Sequence, residues 1–126
     1  MSRPAIYPIV PYRDLRGALT FLCDAFGFTM HFLVEGPGGG IEHVELALGD
    51  GGIIMPTRGN DPAAMWLCVR VDDLDAHHER AVRAGARIVD DLHETRHGSR
   101  DYSALDPAGH RWTFTTYDPY APSADA

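Results

Sequence analysis

Apolar positions along the chain follow two rhythms. Leu15, Ala18, Leu19, Leu22, Ala25 and Phe26 recur at i, i+3, i+4 and i+7, which predicts a helix with one buried stripe. Asp14 stands where a carboxylate can cap its first turn, and Gly27 where a left-handed residue can end it. A thinner stripe, Leu74, His78, Ala81 and Val82, follows the acidic start Asp72-Asp73-Leu74-Asp75, whose charges favour a helix N-terminus, and Ala84-Gly85-Ala86 closes it. The other apolar runs have strand composition: IYPIVPY, FTMHFLVE, IEHVELALG and IIMP in the first half, MWLCVRV, RIVDDLH, RDYSALD and HRWTFTTY in the second. Turn residues (GPGGG, DGG, HGS, PAG) separate them.

Sliding the chain against itself by roughly 58–59 residues superposes the halves, so each reads βαβββ. This predicts a single α+β domain of tandem modules, about 5–57 and 63–117, with a tail over 118–126 in which Tyr120 to Ala126 fray. The link Thr57–Pro62 is too short to separate independent domains, so each four-stranded sheet needs the other half to finish its core. GPGGG leads into a strand rather than a helix N-terminus, which favours a hairpin loop over a phosphate cradle.

Length and charge narrow the partners. A chain of 126 residues suits one domain, and 18 acidic against 11 basic residues give a net charge of −7, which disfavours nucleic acid and anionic membranes. No apolar stretch approaches the ~18 residues of a membrane span, and Met1–Tyr12 lacks the layout of a signal peptide. Cys23 and Cys68 lie in apolar patterns and are expected as buried, reduced thiols, Cys68 inert, which points to a cytoplasmic protein. None of the seven histidines forms a finger-type ligand pair, and no nucleophile elbow is present.

The aspartate-capped helix ending in AFGF, the EHVELALGDG strand and turn, VRVDDLDAHHERAVRAGA and RDYSALDPAGHRWTF together resemble the vicinal-oxygen-chelate superfamily, which groups glyoxalase, bleomycin-resistance and extradiol-dioxygenase proteins. The resemblance covers about residues 5–117, with DPAGHRW its most specific element. It implies two βαβββ modules curled into a half-open mixed barrel around a cavity, within a homodimer, and a structural role for His110. Metal-using members place one ligand on each of four strands. The matching positions here are Tyr7, Glu45, Trp66 and Thr113, so three of the four ligands are gone.

A catalytic divalent ion keeps about three protein ligands, and neither Trp66 nor a neutral Tyr7 offers a usable lone pair. The expectation is therefore no cofactor and a binding function, with a drug or metabolite held by Tyr7, His43, Glu45, Trp66, Tyr102 and Thr113. Aromatic walls suit planar or cationic guests, and Glu45 would draw a positive group. Trp66 and Tyr7 fit core packing equally well. His43 and Glu45, two apart on one strand, share a face about 6–7 Å apart along it. They fit three roles: polar lining of the cavity, structural hydrogen bonding, or a metal pair completed by Cys68, His110 or a second subunit. The last is the route to the alternative, a lyase, isomerase or dioxygenase dependent on Zn, Ni, Mn or Fe. Glu45 is also the candidate catalytic residue of a metal-free enzyme, as a general base. Arg100 and Arg111 are expected to pair with Asp101 or Asp106.

Overall fold

The computed structural model describes residues 6–49, 51–60, 63–96 and 98–120; His97, the Asp61-Pro62 part of the link and the tail from Ala121 lie outside it. The first half forms β1 (Ile9–Tyr12), α1 (Leu15–Phe26), β2 (Thr29–Glu35), β3 (Ile41–Leu48) and β4 (Gly52–Arg58). The second forms β5 (Trp66–Arg70), α2 (Leu74–Arg83), β6 (Arg87–Glu94), β7 (Arg100–Leu105) and β8 (Arg111–Thr115). Sheet one runs β1-β4-β3-β2 and sheet two β5-β8-β7-β6. In each, the first strand pairs in parallel with the last and the other pairings are antiparallel.

Both helices begin as the pattern predicts. Asp14 and Asp73 accept the amides of Gly17 and Ala76 at 3.0 and 3.1 Å, satisfying first-turn donors that have no partner within the helix. Gly27 closes α1 at φ 81°, a left-handed value that suits glycine. The glycine run forms a short 3-10 turn, Pro37–Gly39, linking β2 to β3.

One core serves both modules. Phe26, at the end of α1, lies 4.8 Å from Phe114 and 5.7 Å from Trp112 by ring centroids, and Phe28 lies 5.5 Å from Trp112. Polar bonds tie the same seam. Asp106, in the β7–β8 turn, accepts Tyr12 Oη at 2.6 Å and Trp112 Nε1 at 3.0 Å, together with the amides of Ala108 and His110. Burial and the Asp106 charge hold the Tyr12 phenol far above its usual range. His110 accepts the Met65 amide on Nδ1 at 2.9 Å, which leaves Nε2–H to donate to the Pro11 carbonyl at 2.7 Å.

Candidate functional site

Side chains alternate across a strand, so each sheet has one face turned to the helices and one turned away. In β3, Val44 and Leu46 enter the core while His43 and Glu45 face outward. His43 Nε2 donates to Glu45 Oε2 at 2.8 Å, since an ionised carboxylate can only accept. Phe32 stands opposite Glu45 across the β2–β3 pairing, and its ring centroid lies 6.1 Å from that of His43. Next to the register shift between Met30 and Phe32, His31 holds Nε2 3.8 Å from Glu45 Oε1. Tyr7, just before β1, is about half exposed.

The outer face of sheet two is built around Trp66, which is 69% exposed and therefore not core. Its indole N–H donates to Thr113 Oγ1 at 2.7 Å, and Thr113 pairs with Ser103 Oγ at 2.8 Å. Arg111, opposite Trp66 in the β5–β8 pairing, lays its guanidinium 4.6 Å over the indole and reaches Ser103 Oγ at 3.3 Å. Cys68 sits opposite Thr113 and is exposed, against the expectation of a buried thiol, because it shares parity with Trp66 rather than Leu67. Partial burial of its sulfur, and next the Asp101 charge, push the thiol upward.

The structure thus brings Trp66 and Thr113 together on sheet two, and His43 and Glu45 together on sheet one with Phe32 and His31 added. Tyr102 does not join them. It is fully buried on the helix side of β7, with Oη 2.6 Å from His77 Nδ1 and its ring 5.2 Å from Phe114. The capping residues Asp14 and Asp73 are 59 positions apart, but the left-handed glycines Gly27 and Gly85 are 58 apart, because the second helix is shorter. Beyond the helices the offset is 58, so Tyr102 matches Val44 of the core, and His43 matches Asp101. A slip of one residue reverses the face. The arginine pairings also differ from expectation. Arg100 makes a two-bond pair with Asp75 at 3.0 and 3.1 Å, Arg111 stacks on Trp66, and Asp106 is buried among neutral donors.

Residues present in one copy do not fit a divalent-metal site. Trp66 has only an N–H donor, and Glu45 is engaged by His43. His110 uses both ring nitrogens in the core, and Cys68 lies on the other sheet. Among the described residues no group of three His, Cys, Asp or Glu is placed to hold a metal ion. An open cleft of about 1520 Å³ runs along the module seam past Phe28, Leu67 and Arg80, but none of the six expected binding residues lines it. The sheet faces, where polar and aromatic groups converge, are the better candidate.

A family model described as Glyoxalase/Bleomycin resistance protein/Dioxygenase superfamily matches residues 6–114. The chain is 30% identical over 125 residues to a protein of Mycobacterium tuberculosis (strain ATCC 25618 / H37Rv) called Uncharacterized protein Rv0887c, covering 87% of this chain and 72% of that one. Among solved structures, TioX from Micromonospora sp. ML1 is 32% identical with TM-score 0.77, covering 88% of this chain and 98% of that one. A glyoxalase-related enzyme from Clostridium phytofermentans shares the fold alone, at 13% identity and TM-score 0.75 over 91% and 95% of the two chains.

Proposed function

The chain belongs to the glyoxalase/bleomycin resistance protein/dioxygenase superfamily, and from that premise we propose that it binds a small organic molecule, a drug or a metabolite, without a metal. One observation carries this reading. At the positions where the resemblance would put metal ligands, the outer face of sheet two presents an exposed indole held by Thr113 and stacked by Arg111. A flat, fixed aromatic surface binds planar guests by stacking, about 0.5–1.5 kcal/mol per ring pair beyond the area buried.

The working protein is a homodimer. In one copy Trp66, Phe32 and Tyr7 lie open, whereas a small-molecule site encloses about 70–90% of its guest, and a second copy supplies the missing wall. The free thiols Cys23 and Cys68 suit a reducing compartment such as the cytoplasm. No described helix is long and apolar enough to cross a membrane. The hydrogen-bonded His43–Glu45 pair favours a second reading, in which the carboxylate orients the imidazole for proton transfer to or from the guest.

The test is calorimetric titration of the purified chain with a panel of planar aromatic compounds, alongside sedimentation equilibrium. Binding that is lost on Trp66→Ala, in a dimer, is the expected result. A tightly held Zn, Ni, Mn or Fe near one per chain, lost on Glu45→Ala, would overturn the metal-free reading.

A further inference from the structure

Exposed tryptophan faces on a protein of net charge −7 invite a cationic guest, yet on Trp66 one face is already covered by a cation of the protein itself. Arg111 also has donors to spare. Arg100 and Arg80, which turn to the helices, are occupied by Asp75 and by the carbonyls of Cys23 and Asp24, and Arg70 donates to Asp72 at 2.7 Å. Arg111 makes one long bond, to Ser103, while Asp90 Oδ2 at 3.9 Å is beyond hydrogen-bonding distance and its own buried Nε has no partner. Its backbone follows His110, which is fixed from both sides, and its own amide donates to the Met65 carbonyl at 2.8 Å, so the strand that carries it is held in place.

We propose, on the basis of the binding reading above, that Arg111 is a specificity-determining residue and that the guest of this face is a flat aromatic molecule bearing a carboxylate or similar planar acceptor, not a cation. The ring of such a guest stacks at Trp66 while its acceptor takes guanidinium donors that the protein leaves unmatched, a planar two-bond geometry for which arginine is suited. Two groups oppose this choice. Asp90 pairs with Ser103 across β6–β7, and Asp101 lies two residues further along β7 on the same face. Arg111 lies 4.6 Å from the indole centroid and 3.9 Å from Asp90 Oδ2, so its charge offsets that of Asp90 beside the ring, and the remaining negative charge of the chain is screened beyond ~8–10 Å.

The experiment uses the full chain and three probes with one ring system: 2-naphthoate, 2-naphthamide and 2-naphthylmethylammonium, titrated by calorimetry. Naphthoate should bind about tenfold tighter than the ammonium, as expected for hydrogen bonds to charged groups. Arg111→Gln, checked for folding by circular dichroism, should abolish or invert that order, because Asp90 and Asp101 then set the local charge. Arg111→Lys should keep the sign with a smaller ratio. Equal or tighter binding of the ammonium by the natural chain, or a naphthoate preference that survives in Arg111→Gln, overturns the proposal while leaving aromatic binding intact. Failure of all three probes, together with failure of the wider aromatic panel, overturns the binding reading itself.

Discussion

Module one and module two have the same topology but unequal roles at their seam. Among the described residues, His77, Arg80, Asp106 and His110 of module two make side-chain polar bonds across it, and module one answers with the Tyr12 hydroxyl and the carbonyls of Pro11, Cys23, Asp24 and Phe26. The aromatic core, by contrast, draws on both modules, with Trp112 and Phe114 of module two packed against Phe26 and Phe28 of module one. A repeat can therefore keep its backbone plan while one copy specialises as anchor. The outer faces diverge too: imidazole and carboxylate on sheet one, indole and guanidinium on sheet two.

The sharpest way to break this comparison is to truncate equivalent core positions. Trp112→Ala should cost about 3–5 kcal/mol in urea unfolding, and more than Ile54→Ala at the matching place in module one. Equal costs would show that the asymmetry carries no energetic weight. Asp106→Ala should cost about 3 kcal/mol, because it leaves the buried Tyr12 and Trp112 donors without an acceptor. A loss under ~1 kcal/mol would mean that water replaces the carboxylate.

Trp66 tests the outer face against the inner one. Trp66→Ala should weaken aromatic ligand binding by about 1–3 kcal/mol while changing stability by no more than ~0.5 kcal/mol. Stability loss with unchanged affinity would move the site elsewhere. Removing either cap, by Asp14→Ala or Asp73→Ala, should cost about 1 kcal/mol in both modules alike, since the caps are local and unaffected by the seam.

The smallest expected effect is a pH dependence. His77 bridges Tyr102 Oη and the Phe26 carbonyl, and burial, opposed by that carbonyl, holds it below its ordinary value of 6.5. The unfolded chain then takes up the proton first, so the contribution is complete above pH 6.5 and is lost as pH falls below it. Denaturation midpoints at pH 7.5 and 5.5 should differ more for the natural chain than for His77→Gln. An identical shift in both would remove His77 from the account.

Much of the fold was legible because it rests on local signals. The α1 stripe, its Asp14 cap and the left-handed Gly27 lie within a few residues of one another, and each constrains the backbone directly. The site was less so. His43 and Glu45 share a strand, so their common face follows from parity, whereas His31 reaches Glu45 beside a register shift that alternation cannot reveal. Tyr102 matches His43 at an offset of 59 but Val44 at the offset of 58 that holds beyond α2, and only the second places it in the core. Arg111 reads in sequence only as a charge near acids, since its partner Trp66 lies 45 residues away.

The sequence by itself determined the tandem βαβββ plan and where the two helices begin, because periodicity and capping belong to residues and near neighbours. Only the tertiary structure decided that Trp66 lies outside and Tyr102 inside, that Asp106 and His110 join the modules, and that Arg111 covers the indole. Those facts depend on register between distant strands, and a one-residue difference in the spacing from capping aspartate to left-handed glycine is enough to turn a side chain from one face of a sheet to the other.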